Sequence, residues 1–280
     1  MADLFNLPKL TLGLVVLFAI FVPLESLFPL VQRKFWQRPG VWADLAHFFI
    51  SGALRKLLVA VALVILTYWL SFLVYPPLQQ AIAAWPRWVQ FLTAIFVHDV
   101  GAYWGHRWAH TVPALWRFHA VHHSSEHLDW LAASRVHPVD QTFIRCCGVL
   151  PVFFLGFTKE TFGVLLAFDA LLALFIHANV RWRFGWLEWL VATPAFHHWH
   201  HANDGPAAAN KNFSGLLPAV DWLFGTIHLP RAAMPRRYGI DEPMSQNYLA
   251  QLAAPFRTPP TDAAAVPAPT APVGVTAPPP

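Results

Sequence analysis

The sequence predicts an all-α fold, an integral membrane helical bundle with a histidine-rich helical cap. Of the 280 residues, 56% are hydrophobic and 12% are charged. Soluble domains carry about 25% charged residues. Several apolar stretches approach the roughly 20 residues that span a bilayer as a helix. The 15 histidines are concentrated in a few polar segments between those stretches.

The first 87 residues contain two apolar stretches, at about 11–30 and 57–75, which we interpret as transmembrane helices. The N-terminus lacks the basic start and the small-residue cleavage site of a signal peptide, so we expect the first stretch to remain as a membrane helix. A Pro-broken connection at 76–87 follows the second stretch.

A third apolar stretch, at about 88–103, leads directly into a polar, histidine-rich segment at 106–142. The chain is apolar again over 143–178, with an interruption at GFTKE that predicts a membrane hairpin. A second polar segment with histidines covers 181–240. Because a hairpin enters and leaves on one side, both histidine-rich segments should lie on the same face of the membrane.

The basic residues predict which face this is. The segment 31–56 carries Arg33, Lys34, Arg38, Arg55 and Lys56, whereas the connection 76–87 carries only Arg87. Loops rich in Lys and Arg stay in the cytoplasm. The histidine clusters are therefore expected on the cytoplasmic side.

Four histidine clusters stand out. His106 and His110 are spaced i, i+4, and a helix places such residues on one face. The HxxHH spacing occurs twice and also brings its histidines to one side of a helix. A single histidine ends the hairpin in FIHANVRW. The members are His106 and His110; His119, His122 and His123; His177; and His197, His200 and His201.

Nine clustered histidines indicate two metal ions. Imidazole suits iron, zinc and copper, and a structural zinc needs only four ligands. The zinc-protease motif HExxH and the ferritin-like motif ExxH do not occur. His47 and His228 are interpreted as ordinary surface or core histidines. His98, His127, His137 and His198 remain ambiguous, and His198 lies on the far side of its helix from the HxxHH set.

The chain resembles the fatty acid hydroxylase/sterol desaturase superfamily of membrane-bound, histidine-rich di-iron oxygenases. The resemblance covers about residues 90–232 and is carried by five segments. These are DVGAYWGHRWAH, LWRFHAVHHSSEHLDW, RVHP, TPAFHHWHH and KNFSGLLPAVDWLFGTIHLP.

The resemblance implies a membrane oxygenase that hydroxylates or desaturates a lipid C–H bond with O2, within a catalytic domain at 88–240. It implies that the clustered histidines bind two iron ions, with zinc as a possible substitute, and that His177 is a ninth ligand. Asp99 is expected to orient a ligating imidazole, since such rings donate their second N–H to a carboxylate or carbonyl. Tyr103, His137 and Asn179 are further candidates around the metals, although Asn179 and Asp221 could equally be helix or turn caps.

The same resemblance implies a lipid substrate and a separate electron donor, such as a ferredoxin or a cytochrome with its reductase. The expected location is a bacterial inner membrane. The sequence has no run of Lys and Arg residues of the kind that binds nucleic acid. Its only two cysteines, Cys146 and Cys147, are too few to ligate an Fe–S cluster. The Pro/Ala-rich tail, 253–280, is predicted to be disordered.

Two alternatives remain open. A membrane metal transporter would place histidines along a path through the spans, but the clusters sit at span ends and the apolar spans contain almost no ionisable residue. A zinc-dependent lipid hydrolase would use metal-bound water as its nucleophile, and nine histidines exceed what it needs.

Overall fold

Helices joined by irregular loops make up the described part of the chain. The computed structural model describes residues 7–231 and 233–257, and no β-strand occurs within them. The helices are α1 (Leu7–Leu27), α2 (Val41–Ala46), α3 (Gly52–Trp69), α4 (Pro76–Ala83), α5 (Arg87–Thr111), α6 (Pro113–His123), α7 (Pro138–Leu155), α8 (Lys159–His177), α9 (Pro194–His200), α10 (Pro218–Leu223) and α11 (Tyr248–Ala253). The predicted all-α class is confirmed.

Among the described residues, four helical segments are long and apolar enough to cross a membrane: α1, the continuous run Val41–Trp69, α7 and α8. A π-helical turn, His47–Ser51, joins α2 to α3 without interrupting that run. The second span therefore begins well before the predicted residue 57. The sequence suggested a start after Arg55 and Lys56 because charges usually mark a membrane edge, but both residues line an interior cavity.

The predicted hairpin at 143–178 corresponds to α7 and α8. The turn between them begins at Gly156, which has a φ of +79° and packs against Gln79, so a Cβ at Gly156 would lie 2.4 Å from the Cβ of Gln79. Gln79 also donates a 3.0 Å hydrogen bond from Nε2 to the carbonyl oxygen of Phe154. These contacts hold the connection between α3 and α5 against the hairpin turn.

Helix α5 runs between the two ends of the bundle. Near its N-terminus, the Gln90 amide oxygen accepts hydrogen bonds from Thr158 at the hairpin turn. Near its C-terminus, His106 contacts His119. Gly101 and Gly105 allow α5 to approach the backbone of α7 closely, since a Cβ on Gly101 would lie 2.2 Å from the Cys147 carbonyl oxygen. Helix α5 is not among the four apolar candidates, because its inward face is polar.

The end of α1 meets the end of α8. Pro29 and Val180 form an isolated antiparallel bridge. The side chain of Asn179 accepts from the Val31 amide at 3.0 Å and donates to the Val31 carbonyl at 2.9 Å. The ends of α1, α5 and α8 and the start of α2 consequently share one end of the bundle, which brings the two histidine-rich segments to the same face.

A network of buried ion pairs ties this end together. Arg38 pairs with Asp44 at 2.6 Å and with Asp129, and Arg135 pairs with Asp44 at 2.5 Å. All four side chains are at most 2% exposed. Glu25 accepts backbone hydrogen bonds from Trp130 and Asn179, both at 2.9 Å. The segment that follows α6 is thereby fastened to α1, to α2 and to the end of the hairpin.

The chain remains ordered past the predicted start of its disordered tail at residue 253. Ala254–Phe256 form a 3-10 turn in which Pro255 is buried, and the Phe256 ring packs edge-on against Phe118 at 5.4 Å. The remainder of the predicted tail, 258–280, lies outside the described residues.

We expect Asp129→Ala to destabilise the protein by about 3–5 kcal/mol, because it leaves the buried charge of Arg38 short of one partner. The substitution also removes acceptors for the Leu131 and Ala132 amides. Thermal unfolding of the detergent-solubilised protein measures the effect. Asp241→Ala is the matched control, since Asp241 pairs with Arg237 at the surface and is 81% exposed. Equal melting temperatures for the two variants would contradict the expectation.

Candidate metal centre

The clustered histidines come from the ends of four helices. His106 and His110 are on the last turns of α5, and His119, His122 and His123 end α6. His177 is the last residue of α8, and the second HxxHH set occupies α9 and the residue after it. Pro113 and Pro194 begin α6 and α9, where proline is favoured because the first helical N–H needs no partner.

The structure brings all nine predicted ligand candidates together in two adjoining groups. Within each group, one nitrogen from every ring lies within 4.8 Å of the others. The rings of His123 and His201, one from each group, stack at 4.3 Å. The first group is His106, His110, His119, His123 and His200, and the second is His122, His177, His197 and His201.

Each HxxHH segment supplies both groups. In α6 the i, i+4 pair His119 and His123 joins the first group, while His122 turns to the second. In α9 the i, i+4 pair His197 and His201 joins the second group, while His200 turns to the first. The two segments therefore exchange one histidine each, which places the groups side by side.

Hydrogen bonds on the outer ring nitrogens set the tautomers. Nδ1 of His106 donates to the Phe213 carbonyl at 2.6 Å, and Nδ1 of His119 donates to the Asp140 carboxylate at 3.0 Å. In the second group, His122 donates to the Arg135 carbonyl at 3.1 Å and His177 to the Ala173 carbonyl at 2.7 Å. Since the proton occupies Nδ1 in these four neutral rings, Nε2 carries a lone pair.

These lone pairs face one another. In the first group, Nε2 of His106 lies 3.0 Å from Nε2 of His119. In the second, Nε2 of His122 lies 3.3 Å from Nε2 of His177. Two acceptors at such distances repel unless a cation lies among them, so each group independently fits a metal ion, and imidazole donors suit iron, zinc or copper.

Other polar atoms support the same fit. Nε2 of His110 is buried without a hydrogen-bond partner among the described residues. Nε2 of His197 lies 3.0 Å from Nε2 of His177 and 3.1 Å from Nε2 of His201. Burial, followed by repulsion from neighbouring imidazoles, lowers the pKa of His123, His197 and His201 well below the ordinary value. The groups are therefore neutral and available as metal ligands at physiological pH.

Asp99 does not orient an imidazole, contrary to the prediction. Its carboxylate accepts backbone hydrogen bonds from Gly215, Leu216 and Leu217 at 2.8–3.1 Å. Asp221 similarly accepts from the Phe213 amide at 2.8 Å. Both carboxylates thus shape the loop that presents the Phe213 carbonyl to His106.

Three further predicted site residues form no hydrogen bond with the nine clustered histidines among the described residues: Tyr103, His137 and Asn179. The Tyr103 hydroxyl pairs with Thr226 at 2.9 Å, although its ring packs against Phe213. His137 caps α7 by accepting from the Val139 amide at 3.2 Å. The Asn179 side chain holds Val31, as described above. These three residues support loops and do not contact the two histidine groups by hydrogen bonds.

The carboxylate that does hold an imidazole is Asp140, which sequence reasoning missed. It is 4% exposed and lies in the first turn of α7, three residues after His137. No spacing rule links it to His119. His198 belongs to neither group, since its two ring nitrogens pair with the Tyr238 hydroxyl at 2.8 Å and the Ala178 carbonyl at 3.1 Å.

An interior cavity of about 340 Å³ reaches both groups. His106 and His119 of the first group and His122, His177 and His197 of the second line it, together with side chains of α1, α3, α7 and α8. A second depression, of about 320 Å³, adjoins only the first group, at His110, His123 and His200. The candidate centre is thus accessible from the membrane spans and from the loops.

Comparison with known proteins agrees with this site. Residues 91–226 match the family model for fatty acid hydroxylase. The ornithine lipid hydroxylase OlsE of Rhizobium tropici is 36% identical over 172 residues, which are 61% of this chain and 52% of that protein. The alkylglycerol monooxygenase of Danio rerio is 36% identical over 144 residues, 51% of this chain and 31% of that protein, and the Homo sapiens enzyme is 33% identical over 147 residues, 52% and 32%.

The chain spans about half the length of the first of these relatives and about a third of the two monooxygenases. No solved structure matches it. The matched segment contains the nine clustered histidines and Asp140. Residues 91–226 are thus similar in sequence to the fatty acid hydroxylase family, whose model they match.

Proposed function

We propose that the protein is a membrane-bound di-iron oxygenase that hydroxylates or desaturates a C–H bond of a lipid, using O2 and electrons from a separate donor. The observation that carries the proposal is the pair of adjoining groups of inward-facing imidazole lone pairs beside a cavity that extends among the spans. The lipid hydroxylase and the monooxygenases that resemble the chain support the same class of reaction.

The nine clustered histidines are the proposed ligands of two iron ions, with zinc as a possible substitute. When bound, the iron pair would activate O2 for oxidation of an unactivated C–H bond. Asp140 acts as a positioning residue, because it accepts the Nδ1 proton of His119 and so keeps the Nε2 lone pair inward. The carbonyls of Phe213, Arg135 and Ala173 do the same for His106, His122 and His177.

The cavity walls hold the substrate beside the histidines. Ala170, Ala173 and Ile176 of α8 present an apolar surface next to His177. Leu10 of α1 and Phe48 of the π-helical turn also line the cavity. The first 87 residues thus contribute to the proposed substrate site as well as to membrane insertion, and the catalytic unit extends beyond the predicted boundaries of 88–240.

The donor of electrons is proposed to be a separate protein, such as a ferredoxin or a cytochrome with its reductase. The second depression leads to three histidines of the first group from the loop side. A donor that approaches from the loops would therefore meet the centre without entering the membrane.

The histidine face is proposed to lie in the cytoplasm of a bacterial inner membrane. Arg38 is buried in the ion network, and Arg55 and Lys56 line the cavity within the second span. The charge difference that predicts this orientation therefore rests mainly on Arg33 and Lys34. A green fluorescent protein fused after Pro280 should fluoresce, since α11 packs at the histidine end through Gln251 and His47. A non-fluorescent fusion, together with an active alkaline phosphatase fused at the same position, would show the opposite orientation.

Single substitutions should separate the two metal sites. We expect His200→Ala and His122→Ala each to lower the iron content from about two to about one per chain, because each removes a ligand from a different group. Elemental analysis of protein expressed with added iron measures this. His198→Gln is the matched control, as His198 faces the Ala178 carbonyl. Equal iron loss in the control, or full retention in both alanine variants, would contradict the ligand assignment.

Iron, O2 and a lipid product should be linked. We expect Mössbauer spectra of the purified protein to show coupled iron, and we expect comparison of lipid extracts with and without the gene to show a hydroxylated or desaturated lipid that depends on O2. The double variant His122→Ala/His200→Ala should abolish the product. The finding of one tightly bound zinc per chain, no coupled iron, and lipid cleavage that does not require O2 would contradict the oxygenase proposal and favour a hydrolase.

A further inference from the structure

The cavity beside the histidine groups contains charged side chains at the level of the spans. Arg55 comes from α3, Arg145 from α7 and Asp169 from α8, and His98 comes from α5. The spans therefore hold more ionisable side chains than predicted. Ionisable groups within a membrane are costly and face an interior cavity or a partner, so their convergence from four helices on one cavity requires an explanation.

The charges in this cavity do not balance. Arg145 forms an ion pair with Asp169, whose side chains are 23% and 12% exposed. Arg55 lies within electrostatic range of both, where Arg145 repels it and Asp169 attracts it. No hydrogen bond or ion pair within residues 7–231 and 233–257 satisfies its guanidinium. Among Arg55, Arg145 and Asp169, two cations and one anion leave one positive charge, and exposed Lys56, which also lines the cavity, adds a second.

His98 adds an unsatisfied polar group to the same cavity. It is 3% exposed, and neither ring nitrogen has a hydrogen-bond partner in the described part of the chain. Its ring packs against Gly148, where a Cβ would lie 2.9 Å from Nε2. The glycine thus makes room for a buried imidazole that has no partner of its own.

We propose that Arg55 and His98 bind the anionic headgroup oxygens of the lipid substrate, a phosphate or a carboxylate. The cavity is lined by exposed Lys56, which would attract such a group, by Arg55 and by histidines of both groups. Arg binds carboxylates and phosphates through charge-assisted hydrogen bonds that fix geometry as well as energy. Anchoring the headgroup in a cavity of about 340 Å³ would determine which carbon lies next to the histidine groups.

This inference rests on the proposed function only in calling the bound lipid a substrate. Headgroup binding itself can be measured without any catalytic turnover. The probes are dodecyl phosphate, dodecanoate and the uncharged dodecanol, added to the purified full chain in dodecyl maltoside. Equilibrium dialysis with labelled probes gives each dissociation constant. Inorganic phosphate is added separately, to distinguish a lipid headgroup from a free anion.

We expect at least one anionic probe to bind tighter than dodecanol, and Arg55→Gln to weaken that probe by about tenfold, the loss of roughly 1.4 kcal/mol. Arg55→Lys should retain most of the affinity, because it keeps the charge. Arg87→Gln is the matched control, since Arg87 pairs with Glu160 at the opposite end of the bundle and is 62% exposed. Equal melting temperatures show that the variants are folded.

Three results would overturn the proposal: equal affinity of the anionic probes for Arg55→Gln and wild type, binding of dodecanol as tight as that of the anions, or inorganic phosphate binding as tightly as dodecyl phosphate. Arg55-dependent binding in a protein without oxygenase activity would refute the proposed function alone. Oxygenase activity with Arg55-independent binding would refute this inference alone.

Discussion

Repulsion between inward-facing imidazole lone pairs is the constraint on which the rest of the structure depends. Neutral rings have Nε2 atoms only 3.0–3.3 Å apart. They keep this position because their Nδ1 atoms donate hydrogen bonds to carbonyl and carboxylate oxygens outside the cluster. A metal ion bound in each group would relieve this repulsion, and its binding free energy would then contribute to the folding free energy of the histidine-rich cap. The helices that supply the histidines must therefore be locked in place by contacts outside the cluster.

Those contacts are made largely by buried carboxylates that bind backbone amides. Asp99 and Asp221 together hold the loop at 213–217, and that loop presents the carbonyl that fixes His106. Glu25 and the Arg38–Asp44–Asp129–Arg135 network hold the segment after α6, whose Arg135 carbonyl fixes His122. Most carboxylates around the histidine groups therefore act indirectly, by fixing the loops whose carbonyls bind the imidazoles, and Asp140 contacts an imidazole itself.

The cavity combines two environments that a membrane usually keeps apart. Apolar side chains of α8 lie beside the histidines, while Arg55, Arg145, Asp169 and His98 form a polar region in the same space. Charged groups at this depth are stable where they face a polar interior instead of lipid. The arrangement suits an amphiphile better than a pure hydrocarbon. Because the spans do contain ionisable side chains, their composition no longer argues against a transport path. The two compact histidine groups, in each of which the nitrogens lie within 4.8 Å of one another, favour chemistry at a fixed site over transport.

The sequence by itself determined the helical class, the hairpin and the nine clustered histidines. These follow from local rules: the length of apolar runs, and the i, i+3 and i+4 spacing that any α-helix converts into a shared face. Only the tertiary structure decided how the nine rings divide into two groups, that Asp140 and not Asp99 holds an imidazole, and that the second span begins at Val41 with Arg55 inside. Each of these depends on which distant segments pack together, and helical periodicity carries no information about the partner that a face will meet.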